Sequence, residues 1–418
     1  MTPADADAVR EAVDVAYRHE WGQLVATLIG LTRDWDLAED CTQEAFAAAL
    51  ATWPRDGIPG RPGAWLTRTA RNRATDRLRR DTAGREKLRQ IATLAREPGE
   101  SVVEEIPDDR LRLIFTCCHP ALPFDARVAL TLRTLAGLNT AEIARALLVG
   151  ESTMAQRLVR AKRKIAEAGI PYRVPPAELL PERLVAVLAV VYLIFNQGYD
   201  DFHGKRDLTG EAIHLARVVV QLMPDEPEPQ GLLALMLLTE ARQGARIVDG
   251  MLVPLEQQSR ELWDRTMIIE GTEILERAWA LRRPGPYQLQ AAIAACHATA
   301  AEMANTDWAQ IAALYTELLR IAPSPVVELD RAVAIAMSEG VPAGLEIVDG
   351  LAGSGRLDDY HLLSATRADL LRRAGRPAQA AAAYDEAIRL APTEPERRYL
   401  IARRSELPSP TAPRDEEF

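Results

Sequence analysis

The chain has 418 residues, 50 Lys and Arg against 60 Asp and Glu, and only 5% aromatic residues; that length exceeds one ordinary core and sets two or three domains as the expectation. Four cysteines (41, 117, 118 and 296) do not make a disulfide framework, and no basic leader runs into an apolar stretch and a small-residue cleavage site, so a cytoplasmic protein is expected. The longest apolar run, LVAVLAVVYLIF from Leu184 to Phe195, falls short of the roughly 20 residues of a bilayer helix; it reads as a buried core helix, with no membrane partner.

Alanine, leucine and arginine dominate, without long β-branched alternations, which predicts an all-α fold. Charge is uneven along it. Residues 1–173 carry a net +2 and the remainder a net −12. Inside the first part, 61–89 reaches +7 and 139–173 reaches +4. Two basic islands therefore precede an acidic half, which directs any nucleic-acid partner to the N-terminal part.

The first helical block, 10–96, contains DLAEDCTQEAFAAALATW (Asp36 to Trp53). Helical spacing puts Ala38, Cys41, Ala45, Phe46 and Ala49 on a buried stripe and leaves Asp40, Gln43 and Glu44 on another face. GAWLTRTARNRATDRLRR follows (Gly63 to Arg80), with six arginines (68, 71, 73, 77, 79 and 80) against Asp76. Acid faces outward on one helix and cation on the next. A polyanion would use only the second, so the first implies another partner.

EPGESVVEEIPDD (97–109) reads as an acidic, proline-bounded linker. The block 110–172 ends on LNTAEIARALLVGESTMAQRLVRAKRKIAEAG (Leu138 to Gly169), which has helix-turn-helix form. Thr140 is expected to cap the first helix, Val149 and Gly150 to turn, and Ser152 to cap the second. Met154, Leu158, Ala161 and Ile165 make the second helix's core stripe, leaving Gln156, Arg157, Arg160, Lys162, Arg163 and Lys164 outside. A second helix in the major groove offers its first side chains to base edges and later cations to phosphates. Glu151, Ser152, Thr153, Ala155, Gln156, Arg157, Arg160 and Lys164 are thus candidate readers or positioners.

After the four prolines of GIPYRVPPAELLP (169–181) the chain is helical again: a connector of degenerate repeats over 178–290, then tetratricopeptide-like (TPR-like) repeats over 291–405. Three amphipathic helices run into proline turns at Pro224, Pro323 and Pro392. The first and last prolines are five periods of about 34 residues apart. Asp358 to Pro392 reads as one complete helix pair turning at Gly375, with alanines where the helices approach.

Other signals carry no chemistry. Adjacent ligands such as Cys117, Cys118 and His119 cannot comfortably share one ion, so they read as buried core thiols and a non-ligand histidine. His203, His214, His297 and His361 are scattered. GYDDFHGKRD (Gly198 to Asp207) has Arg206 where a phosphate loop needs Ser or Thr. No metal, cofactor or catalytic grouping is expected, and the protein is read as not an enzyme.

Taken together, AEDCTQEAF, a tryptophan-bearing helix end, PGAWLTRTARNRATDRLRR, a variable acidic linker and a helix-turn-helix ending RLVRAKRKI resemble bacterial extracytoplasmic-function (ECF) sigma factors of the sigma-70 family. The resemblance implies a sigma region 2 helical bundle over 10–96, a region 4 helix-turn-helix over 110–172, and promoter-specific transcription initiation. It implies that Asp40, Gln43 and Glu44 bind the beta-prime clamp helices of core RNA polymerase. It places Arg68, Arg71, Asn72, Thr75, Asp76, Arg79 and Arg80, with the loop Gly60 to Gly63, on the minus-ten promoter element. Region 4 would read the minus-thirty-five element and touch the beta flap. Family members usually carry aliphatic residues where Thr69, Arg73 and Thr75 stand. YLIFNQGY (192–199), RRPGPYQLQAAIAACHA (282–298) and the repeats resemble the subgroup with a large TPR-like C-terminal extension, which would regulate activity, with a protein partner as one route. The alternative is a helix-turn-helix operator-binding regulator with a TPR sensor, which leaves the acidic face and first island unexplained.

Overall fold

The computed structural model describes residues 6–80, 109–147, 149–200, 208–248 and 251–408. It is all-α apart from one two-residue-per-strand hairpin, with eighteen α-helices among the described residues. The acidic segment 97–109 lies outside those residues except Asp109, which opens a helix, and so does most of the Gly198 to Asp207 segment. Two compact units divide at Leu222 and Met223, inside the stretch read as one connector over 178–290.

In the first unit, α1 (Ala6–Thr32), α2 (Trp35–Asp56) and α3 (Pro62–Arg80) pack on one another. Asp34 starts α2 by accepting from the Leu37 amide at 3.0 Å, an ordinary N-cap. Proline at the start of α3 costs no hydrogen bond, because a first-turn N–H has no helical acceptor. Trp21, Leu24, Val25, Leu28 and Ile29 of α1 are fully buried, and Tyr17, Trp21 and Phe46 form an aromatic cluster with centroids 4.9 to 6.3 Å apart.

Next come α4 (Asp109–Cys117), α5 (Phe124–Thr134), α6 (Thr140–Ala146) and α7 (Glu151–Glu167). Cys117 and Cys118 are buried against Thr134 and Thr131 hydroxyls at 3.2 and 3.6 Å. Desolvation pushes both thiols up, Cys118 to about 11, so they are unreactive core residues as expected.

The unit ends with α8 (Leu180–Asp200) and α9 (Leu208–Leu222). By length and composition Leu180–Tyr199 could cross a membrane, longer than the run seen in the sequence. Yet Leu184, Val187, Leu188, Val190, Val191, Ile194 and Phe195 are buried, α8 packs on α4, α5 and α9, and Arg183 donates to the Phe115 carbonyl at 2.5 Å. It serves as a core helix.

The second unit comprises α10 (Pro227–Glu240), a short antiparallel hairpin of β1 (Ile247–Val248) and β2 (Met251–Leu252), then α11 (Arg265–Ala280), α12 (Pro286–Thr299), α13 (Trp308–Ile321), α14 (Pro325–Ser338), α15 (Val341–Gly353), α16 (His361–Arg373), α17 (Pro377–Leu390) and α18 (Glu394–Ser405). Helix starts at 325, 361 and 394 fall close to the ~34-residue spacing read from the prolines. The α16–α17 pair turns at Gly375, whose φ of 70° is cheap only for glycine, with the Arg376 amide donating back to the Leu371 carbonyl at 2.9 Å. Ala368, Ala380, Ala383 and Ala387 are buried where these helices meet. The hairpin leaves the helical order and packs β2 on α18, a contact with no counterpart in the periodic pattern.

Candidate nucleic-acid and polymerase interface

On α3 the apolar residues Leu66, Ala70, Ala74 and Leu78 recur every four positions and are buried. That stripe fixes the helix's rotation. Arg68, Arg71, Asn72, Asp76, Arg79 and Arg80 are exposed and Thr75 is half-buried, its hydroxyl donating to the Arg71 carbonyl at 2.9 Å. Thr69, Arg73 and Thr75, polar where the resembling family is aliphatic, sit beside the stripe and not in it, so core packing is intact.

The six arginines divide in two. Arg73 reaches Glu44 at 2.8 Å, and Arg77 pairs with both Glu44 and Asp40, the latter at 3.3 Å. The other four make no ion pair among the described residues. This corrects the expectation that the acidic face of α2 simply points outward: Asp40 is exposed but paired, Glu44 is half-buried and doubly paired, and Gln43 alone of the three is exposed without an ion pair. The expected buried stripe of α2 is buried, together with Glu39, Thr42 and Trp53. Of the loop Gly60 to Gly63, only Gly60 and Arg61 precede the helix, while Pro62 and Gly63 lie in its first turn. Trp53 and Trp65 meet edge-on at 5.5 Å just behind that turn.

In the helix-turn-helix, Met154, Leu158, Ala161 and Ile165 are buried as expected. Both expected caps are displaced by one or two residues. Asn139, not Thr140, caps α6 in a reciprocal box with Glu142, at 2.9 and 2.8 Å. Gly150, not Ser152, precedes α7, and no side chain caps it. Ser152 and Thr153 therefore stand exposed in the first turn, with Glu151, Ala155, Gln156, Arg160 and Lys164 also exposed. Arg160 donates to Gln156 at 3.2 Å, which orients both on one face. Arg157 is partly covered and lies 3.5 Å from Asp125.

Lys162 does not project outward. Its ammonium lies 2.8 Å from Asp36 and 2.8 Å from Glu39 of α2, the latter off-line for a hydrogen bond. Arg133 of α5 donates to the other Glu39 oxygen at 2.9 Å. Glu39, only 5% exposed at its side chain, thus ties the first basic island's bundle to the second. Beside it the Tyr17 hydroxyl donates to the Gly137 carbonyl at 2.8 Å, and the Tyr172 hydroxyl to that of Ala26 at 2.7 Å. Gly137 has φ of 72°, and a Cβ there would meet the Tyr17 ring at 2.9 Å. The sequence reading missed this junction, although Glu39 stands on the apolar side of α2, where a carboxylate needs a partner.

Three family models match the chain in order: sigma-70 region 2 over residues 16–84, sigma-70 region 4 over 112–165, and a family of unknown function, DUF6596, over 183–279. An uncharacterized protein of Rhizobium meliloti (strain 1021) is 42% identical, covering 93% of this chain and 94% of its own length. The ECF RNA polymerase sigma factors SigK of Mycobacterium tuberculosis (strain H37Rv) and Mycobacterium ulcerans (strain Agy99) are 29% and 28% identical, each over 36% of this chain and 81% of the relative. No solved structure matches significantly. The sigma matches fall on α1–α3 and α4–α7, where the two exposed basic faces stand, and the long relative extends the likeness through the remaining helices; the chain belongs to the ECF sigma factors of the sigma-70 family, in a form with a long C-terminal helical extension.

Proposed function

We propose that this sigma factor binds core RNA polymerase through Asp40, Gln43 and Glu44, opens the minus-ten region with α3, and reads the minus-thirty-five duplex with α7. The observation that carries the reading is the division of the α3 arginines. Arg73 and Arg77 neutralise α2, whereas Arg68, Arg71, Arg79 and Arg80 form a separate row around Asn72 and Asp76 with no ion pair among the described residues. Such a row holds a displaced backbone while neighbouring polar side chains meet unstacked bases. On α7, Ser152, Thr153 and Gln156 are presented to base edges and Arg160 and Lys164 to phosphates. The second unit regulates this activity, and its helix hairpins support a TPR-like role.

The test is run-off transcription by core polymerase plus the purified protein, from promoters selected out of a random library. Transcription that requires both components is expected. Duplex binding without polymerase and without initiation supports the operator-binding alternative instead. For the regulatory role, residues 1–222 are compared with the full chain on the same promoter; identical transcription by both removes it.

A further inference from the structure

A cavity of about 280 Å³ opens among α13, α14, α16 and α18 of the second unit, roofed by Pro254 to Gln257. Its walls carry three aromatic side chains, Trp308, Tyr315 and Tyr399, and its charged groups are Glu256, Asp330, Asp369, Arg373 and Arg403. Most of these cancel. Asp369 is held by Arg372 and Arg373, with Arg403 at 3.7 Å, and Glu256 pairs with Arg373 at 2.6 Å. Arg403 also pairs with Glu406.

Asp330 is left over. No hydrogen bond or ion pair to it is found among the described residues, and surrounding protein desolvates its carboxyl, raising it to about 6, although the residue is solvent-accessible. His297, also in the lining, is held neutral by burial, down to about 4, and packs edge-on to Trp308 at 5.2 Å. A solvent-reachable carboxylate with no cation paired to it among the described residues, lining a small aromatic-walled cavity, is open to an incoming cation. Ammonium groups are what aromatic faces and an unpaired carboxylate jointly attract.

We propose that this cavity is a binding site for a compact organic amine, with Asp330 taking the ammonium group and Trp308, Tyr315 and Tyr399 enclosing the apolar body. The volume sits at the small end of sites for small molecules, which favours a metabolite-sized amine over a folded partner. The site stands independently of promoter recognition; only its effect on initiation rests on the function proposed above.

Calorimetric titration of the full chain with tryptamine, phenethylamine and hexylamine, each beside its alcohol counterpart, tests the site without polymerase. At least one amine is expected to bind with a Kd of about 1 mM or tighter, and no alcohol to match it. Asp330→Asn is expected to weaken that amine about tenfold or more, while the exposed-site control Glu346→Gln leaves it unchanged. A melt of each variant confirms folding. Failure of every amine to bind the folded protein, or equal binding by Asp330→Asn, overturns the proposal. Adding the bound amine to run-off transcription then separates the two ideas, since binding without altered initiation keeps the site and removes only its coupling.

Discussion

Single side chains on α3 differ in what they can specify. Arg79 and Arg80 are exposed cations at the helix end, suited to phosphates, which carry no sequence information. Replacing either with alanine is expected to weaken all promoters alike and to lower the salt-dependence slope by about 1. Asn72 can meet base edges, so Asn72→Ala should reorder promoter preference in a selection; a uniform loss across promoters would remove that role. Asp330 gives a prediction for pH. Its proton is held more tightly in the folded than in the unfolded chain, so the stability it contributes is full below about pH 4 and lost as pH rises through about 6. Asp330→Asn cannot ionise and should melt higher at pH 7.5, by about 1 kcal/mol after solvent screening, with the gain absent at pH 4. At this scale the rotation of α3 and α7 was legible, because apolar residues at helical spacing leave little choice, but the drawing-in of Lys162 by Asp36 and Glu39 was not. The caps were read one or two residues off. Asn139 with Glu142 satisfies the three-residue spacing of a reciprocal box, whereas Thr140 would place Ile143 there.

Between elements, the junction of α2, α5 and α7 could not be read from spacing. Glu39 meets Arg133 and Lys162 across 94 and 123 positions of chain, and only packing brings them together. The contact has a consequence for promoter recognition as proposed. Elements centred near minus ten and minus thirty-five are about 25 base pairs apart, or roughly 85 Å along the duplex. With α2 and α7 joined at 2.8 Å, α3 and α7 cannot occupy both at once, so the junction must open. Glu39→Gln leaves Arg133 and Lys162 without their shared carboxylate and is expected to cost about 2 kcal/mol of junction stability. Resonance energy transfer between dyes on α3 and α7 should fall in this variant, and run-off transcription at limiting protein should rise. Unchanged transfer efficiency would mean that packing around Tyr17 and Gly137 holds the elements without the ion pairs.

For the whole molecule, the sequence suggested ending the promoter-binding part near Arg173, where prolines interrupt the helices. The fold divides at Leu222 instead, because α8 and α9 complete the first unit. A fragment of residues 1–173 would uncover the faces of α4 and α5 that α8 covers, and would lose the Arg183 bond to Phe115. It is expected to aggregate, while 1–222 gives a cooperative thermal transition; a monomeric, folded 1–173 fragment would contradict this. The DUF6596 match at 183–279 spans the division, so the matched segment contributes helices to both units. Helical content was open to reading from composition, but ownership of α8 was not, since an apolar helix can cover either neighbour.

The β1–β2 hairpin adds a property of another kind. Stacked helix pairs touch only their neighbours, so such arrays tend to open one repeat at a time from an end. Here β2, from between α10 and α11, lies against α18, and Glu256 holds Arg373 across 117 positions of chain. The terminal helix is therefore expected not to fray independently. Amide protons of α18 should exchange with those of α16 in one cooperative event, and Arg373→Met should let the last helix exchange first.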